Sequence, residues 1–367
     1  MTTPPLRARR RTPFRLGVFT RLVDQVAPAE IYARGLTLFE TAERLGFDAA
    51  WVAQHHLHND GGLPSPLVFL GHVAARTHRI TLATGIITLP LEDPLRLAED
   101  AAVLDALSGG RFELGFGTGG GDVIFSLFGH DLAQRNADYE RAFLTLRSAL
   151  AGTPVRADAP PVFPAAPGLL PSIWEAAMSL PSSVRAGQHG SGLLLARTAP
   201  RTADNADQPL GEVQRAYVDA YLANYPSDAP EPPRIGLSRS AYVAPTRAEA
   251  LADAEPGMRR HAQRLAQRNG QVAAARDVTT EALLAATDVH IGSPEDVIAS
   301  LRADPLLEMA SDLILQVHPV DPAPENTLRS IELIATQVAP ALGWRPAQPA
   351  NGTLVAPGAR QRGGQIP

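Results

Sequence analysis

The chain of 367 residues contains no cysteine and no lysine. The first absence removes disulfides, iron–sulfur clusters, thiolate zinc sites and thiol nucleophiles. The second removes Schiff-base catalysis, including pyridoxal phosphate anchored on a lysine. Every basic residue is arginine or histidine. No apolar run approaches the roughly 20 residues needed to cross a bilayer. A formal net charge of −5 provides no basic footprint for nucleic acid or acidic lipid. The N-terminal LRARRR lacks the apolar core that a secretory signal places after its positive charges, so a cytoplasmic protein is expected.

What the chain does have is a repeated alternation of short apolar runs with helical segments. Between Ala49 and Gly129, runs at Ala49–Ala53, Ile80–Thr84 and Phe112–Phe116 are separated by helical patterns at Pro66–Arg76 and Asp93–Leu107. Strand followed by helix in this way predicts parallel βα units. A first strand at Phe14–Thr20, with later ones at Ser172–Ala176, Gly192–Leu195, Arg234–Val243 and Asp312–Val317, brings the number to eight. Helices are expected at Ile31–Leu45, Asp138–Leu150, from near Ser182, at Leu210–Asn224, Thr246–Arg276 and Asn326–Val338, and after Ser293, whose following Pro and acids form a helix start. Eight units are the number for a closed α/β barrel, a fold that commonly takes about 250 residues or more. The expected organisation is a basic disordered tail (1–13), one TIM (β/α)8 barrel with loop insertions (14–343) and a flexible tail (344–367). Proline-rich 152–171 is expected as a surface excursion between the fourth and fifth units.

In such barrels the loops after the strand C-termini carry the chemistry. After strand two comes Gln54-His55-His56-Leu57-His58-Asn59-Asp60. Histidine suits acid–base work near neutrality, while His56-x-His58 has the spacing of a metal-ligand pair, and a polar hydrogen-bonded loop is the plain alternative. Gly85 ends strand three, where absence of a side chain allows a planar ring to approach. Gly115–Gly121 ends strand four with free amides able to cradle an anion. Ser179, Ser182 and Ser183 precede the fifth helix, an anion site by geometry and dipole if they do more than cap it. Arg197, past strand six, adds a bidentate charge.

The run WVAQHH…GLPSPLVFL…ITLATGIITLPLEDPLRLAEDAAVLDALSGGRFELGFGTGG…FG resembles the bacterial luciferase-like flavin monooxygenases, and within them a branch described only as FMN-dependent luciferase-like monooxygenases. The likeness is dense over residues 14–150 and thins over 172–200 and at SPEDVIASL. It implies a barrel binding reduced FMN at its strand C-termini and a homodimer packed through early barrel helices. O₂ and the flavin would form a flavin peroxide that oxygenates a small organic substrate, the reduced flavin coming from a separate reductase. The first histidine of a Glu-His-His run matches His55, with Gln54 in place of the Glu. A non-prolyl cis peptide matches Gly85-Ile86, and phosphate-binding serines match Ser179 and Ser182. The luciferases' phosphate-binding arginine falls on Thr118, beside Gly117, a departure that Arg197 is expected to make good. Other branches use a deazaflavin. Two rival readings are a metal-dependent barrel hydrolase using His56 and His58, and a flavin-binding protein without turnover. The expected site holds no metal.

Overall fold

The computed structural model describes residues 13–24, 26–57, 61–268, 279–280, 284, 287–318 and 322–346. Eight parallel strands close a barrel: β1 (Arg15–Thr20), β2 (Ala49–Val52), β3 (Thr81–Thr84), β4 (Phe112–Gly117), β5 (Ile173–Ala177), β6 (Gly192–Leu195), β7 (Ile235–Val243) and β8 (Asp312–Gln316). Closure is made by β8, which pairs with β7 on one side and with β1 on the other, aligning Arg15 with Asp312 and Phe19 with Gln316. A closed barrel leaves no strand edge unpaired.

Alternation along each strand separates two cores. Phe19, Ala49, Trp51, Ala53, Ala83, Trp174, Leu194 and Ile314 point inward and fill the barrel. Their neighbours, among them Val18, Ala50, Leu82, Leu195, Leu313 and Leu315, point outward against the helices. The N-terminal end of the barrel is plugged by charge pairing: Arg15 Nη1 lies 2.8 Å from Glu113 Oε1 and 3.3 Å from Asp312 Oδ1, and Trp174 Nε1 donates to Glu113 Oε2 at 2.8 Å. These paired groups belong to stability, and unspent chemistry is left to the opposite end.

The outer helices are α1 (Pro28–Leu45), α2 (Pro66–Ala74), α3 (Pro94–Ser108), α4 (Arg135–Leu150), α5 (Leu180–Gln188), α6 (Leu210–Asn224), α7 (Pro294–Arg302) and α8 (Pro324–Leu333). Their ends follow local chemistry. Asp93 caps α3 by accepting from the N–H groups of Leu95 and Arg96 at 2.9 Å each, and Pro94 occupies the first turn. Ser293 and Asp296 form a reciprocal capping box at α7.

Some boundaries differ from the sequence expectation. The proline-rich 152–171 stretch ends in a 3₁₀ turn, Pro167–Ser172, that buries Leu169. An inserted helix, Arg247–Arg268, and a short strand, Val289–Gly292, lie between β7 and α7, the strand lengthening the sheet beside the far end of β7. The rest of the helix expected to run to Arg276 lies outside the described residues. So do residues 1–12 and 347–367, the bulk of the two expected tails. The described residues nevertheless run past Gly343: Trp344 is fully buried, packs on Phe47 and donates from Nε1 to Asp48 Oδ2 at 2.8 Å. A tryptophan joining apolar area to one bonded N–H anchors the last described segment to the barrel. No helix among the described residues is long and apolar enough to cross a membrane.

Candidate active site

The C-terminal mouth is built from the residues that leave the strands. Past β2, the inward side continues from Trp51 and Ala53 to His55, as alternation requires. His55 is half-buried and lines a cavity of about 1160 Å³. Its backbone N–H donates to Leu63 O at 2.9 Å, folding the loop back over the strand end. Gly61 makes room for the ring, because a Cβ there would fall 2.1 Å from His55 Cγ.

His56 points away from the cavity. Its ring lies on Phe128 at 4.7 Å, and burial lowers its pKa against the opposing pull of Glu92. His58, the other half of the metal pair, lies outside the described residues. Among the described residues no three histidine or carboxylate groups converge as a metal-binding set.

Gln54 was expected to touch the cofactor, and its side chain does not face the mouth. It accepts from Thr88 N–H at 2.8 Å and donates to Glu92 at 2.7 Å, while its own N–H donates to Ile86 O at 3.2 Å. Lying one residue from the inward Ala53 and His55, it faces the other side and clamps the segment that follows β3. That segment begins with the Gly85-Ile86 peptide, which is cis. Ile86 packs against the barrel-filling cluster. Gly117 lies against it so closely that a Cβ would sit 2.9 Å from Ile86 Cδ1, with Ala176 beyond. Gly85, Ile86, Gly117 and Ala176 thus make a low floor across the ends of β3, β4 and β5. Thr118 follows as a partly exposed residue, and Gly119–Gly121 are exposed.

Ser179 and Ser182 stand at the start of α5, but their hydroxyls are spent on one another. Ser179 Oγ lies 2.9 Å from Ser182 Oγ and accepts from Ser182 N–H at 3.4 Å, while Ser179 N–H donates to Ser182 Oγ at 3.2 Å. This is a capping box, with Pro181 removing one more donor. What remains for an anion is the helix dipole and the N–H of Leu180, which has no intrahelical partner at the first position. An anion would gain the serines only if their hydroxyls rotate out of the box.

Arg197 was expected to join those serines, and no hydrogen bond connects them. Burial first, and then the charge of Arg21 past β1, pull its pKa down to about 10. His318, past β8, was not foreseen from the sequence. Its Nε2 lies 2.7 Å from Thr20 Oγ1, and burial first, then Arg21 and Arg197, push its pKa to about 4, so it is neutral at pH 7. Counting alternate residues outward from Ile314 through Gln316 to His318 was the available signal.

A second network missed by sequence reading lies outside the barrel. Glu175, fully buried, accepts from Tyr139 Oη at 2.9 Å and from Arg185 Nε at 3.2 Å, and meets His189 Nδ1 at 2.9 Å. It ties β5 to α4 and to the C-terminal turn and cap of α5. Burial would raise the Glu175 carboxyl, but the bond and charge of His189 with Arg185 hold it below its ordinary range.

Residues 14–307 match the family described as luciferase-like monooxygenase. The chain belongs to the luciferase-like monooxygenase family. Limonene 1,2-monooxygenase of Rhodococcus erythropolis is 30% identical to this luciferase-like chain over 317 residues, covering 83% of the chain and 80% of the relative. The uncharacterized protein y4wF of Sinorhizobium fredii is 42% identical over 137 residues, which is 37% of the chain and 40% of y4wF, so that match spans less than half of either protein. Among solved structures, monooxygenase RslO1 from Streptomyces bottropensis superposes with a TM-score of 0.72 at 24% identity, over 89% of this chain and 99% of that one. The oxygenating constituent of 3,6-diketocamphane monooxygenase from Pseudomonas putida, in complex with FMN, gives 0.71 at 18%, over 89% and 98%. A coenzyme F420-dependent tetrahydromethanopterin reductase from Methanopyrus kandleri shares the fold at 0.62 and 17%, over 90% and 99%. At these identities the structural likenesses establish the barrel alone.

The residues at the mouth of the luciferase-like chain fit a planar ring system with an anionic tail. Side chains are missing or small where a ring would lie, at Gly85, Gly117 and Ala176, and a helix N-terminus stands beside them.

Proposed function

We propose that this luciferase-like chain is a flavin-dependent monooxygenase that binds reduced FMN across the floor made by Gly85, Ile86, Gly117 and Ala176. The observation that carries the reading is the placement of His55, the one histidine of the Gln-His-His run that turns into the mouth cavity. Bound reduced flavin supplies the two electrons with which O₂ is split, one oxygen atom going to the organic substrate and the other to water.

The chain's own residues supply orientation and proton handling. The Gly85-Ile86 segment supports the ring, held from behind by Gln54 through Thr88 and Glu92. The N-terminus of α5, with Ser179 and Ser182 turned outward, receives the phosphate. His55 accepts or donates a proton at a ring nitrogen beside the reacting oxygen. Leu22, Val23, Val26 and Ile31 along the cavity wall keep water away from that point. Reduced flavin is delivered by a partner reductase. FMN is preferred to a deazaflavin, and parallel titrations with both decide between them.

The test is oxygen uptake and product formation with reduced FMN, comparing the native protein with His55→Ala. A positioned acid or base contributes roughly 10²–10⁴-fold in rate. His55→Ala is expected to lose that much turnover while still binding flavin. Normal turnover by the variant would refute the role of His55. No oxygen uptake beyond free flavin in the native protein would leave a flavin carrier.

A further inference from the structure

The ring of His55 is backed by a stretch with two adjacent glycines. Residues 61–63, Gly-Gly-Leu, return beside the end of β2, where Leu63 O accepts from His55 N–H. The Gly61 backbone lies against the ring, since a Cβ there would fall 2.1 Å from His55 Cγ and 2.2 Å from Nδ1. On its other side the same stretch meets the loop after β1. Leu22, in the left-handed region at φ 49°, accepts from Gly62 N–H at 3.0 Å, and a Cβ at Gly62 would fall 2.3 Å from that carbonyl oxygen. Both close approaches require glycine, and two glycines in succession leave the backbone its widest freedom. A stretch so composed holds a ring in place only if something else fixes it.

That tie comes from α1. Tyr32 Oη donates to Gly62 O at 2.9 Å, so both backbone polar groups of Gly62 are taken, one by the loop after β1 and one by the helix. Gly35, one turn further along the same face of α1, receives the Leu22 side chain, since a Cβ at Gly35 would fall 2.4 Å from Leu22 Cδ2. One face of α1 thus seats both loops. Tyr32 is partly buried, with its ring centroid 6.3 Å from that of Phe69, and it lines the same cavity as Gly61, Gly62 and His55.

We propose that Tyr32 is a positioning residue for His55, fixing the imidazole through Gly62 and the Gly61 backbone. A proton-handling group has to be held within about 0.5 Å of its working geometry by residues that are themselves locked, and the Tyr32 hydroxyl supplies that lock. The proposal rests on the oxygenase reading of the mouth only for the reaction that the histidine serves.

The test uses the full chain with its histidines carbon-13 labelled at Cε1, the His55 resonance being assigned by its loss in His55→Ala. Tyr32→Phe keeps a ring beside Phe69 and removes only the hydroxyl. Without flavin, the His55 resonance is expected to shift and broaden in Tyr32→Phe while those of His189 and His290 stay in place. With reduced FMN, kcat for oxygen uptake is expected to fall roughly three- to tenfold, the rate equivalent of one net hydrogen bond, at unchanged KM for FMN. The proposal is overturned by an unmoved His55 resonance, or by a change shared equally by His189 and His290, which marks a general loosening of the fold. In a native protein that turns over, an undiminished kcat or a loss confined to KM overturns it as well. A displaced His55 in a protein whose native form takes up no oxygen beyond free flavin leaves the positioning role standing and removes the oxygenase reading. An unmoved His55 in an active protein has the opposite meaning.

Discussion

Gln316 lies on β8 with Phe19 and Ser240 as its neighbours in register, facing the upper layer of the barrel. It is 0% exposed, and neither its Nε2 nor its Oε1 has a hydrogen-bond partner among the described residues. An amide taken out of water without replacement bonds is a standing cost, about 1–3 kcal/mol for an unsatisfied buried group. Methionine has nearly the same length and shape and carries no group that needs water. Gln316→Met should therefore stabilise the protein by about 1–3 kcal/mol. With roughly 2 °C per kcal/mol, the low end for a large domain, the melting temperature should rise by about 2–6 °C. Differential scanning calorimetry of the flavin-free protein reads this directly. An unchanged or lower melting temperature would refute the reasoning, because it would mean that the amide is satisfied in solution. Groups kept unsatisfied beneath a site commonly belong to its function, so the same variant is expected to bind reduced FMN more weakly, measured by fluorescence titration.

Two further outcomes follow from the structure. Burial would lower the His189 pKa, but its bond to Glu175 and the charges of Glu175 and Glu140 raise it, with Arg185, Arg147 and Tyr139 the other polar groups packed around it. A histidine whose folded pKa is raised contributes stability fully below its ordinary value of 6.5, and the contribution is lost as pH rises through the folded value. The stability difference between the native protein and His189→Gln should thus be larger at pH 6 than at pH 9 in urea titrations, and a difference that grows with pH would contradict the pairing. On α2 and α3, Val68 is 75% and Leu107 70% exposed, and an apolar face there suits a homodimer; sedimentation should show a dimer that Leu107→Asp dissociates, and a native monomer at micromolar concentration would remove the idea.

Much of the fold was legible in the chain order. The spans Gly192–Leu195 and Leu210–Asn224 were readable to the residue. Strand six is a short apolar run bounded by turn residues, and the helix runs between a proline and the residues before the next one. The cap of α7 was equally legible, since Ser293, Pro294 and Asp296 act on backbone groups within one turn. The split between His55 and His56 was open to simple alternation, because it depends on a period of two carried forward from Trp51.

The remainder depended on partners far away in sequence. Closure of the barrel brings Phe19 beside Gln316, and nothing near either residue announces the other. Trp344 read as part of a tail because its anchor, Asp48, lies 296 positions earlier. Gln54 looked like a cofactor ligand until Thr88 and Glu92 took its donors and acceptor. Ser179 and Ser182 bond one another in a capping box, so their hydroxyls meet an anion only by rotating out of it, and no hydrogen bond joins Arg197 to them. Local sequence determines where elements begin, end and turn their faces, because backbone hydrogen bonds and side-chain alternation act over a few residues. Which polar groups are left free for a ligand is decided only when closure of the barrel brings distant groups within bonding distance, because a hydrogen-bonding group is used up by whichever partner the fold places beside it.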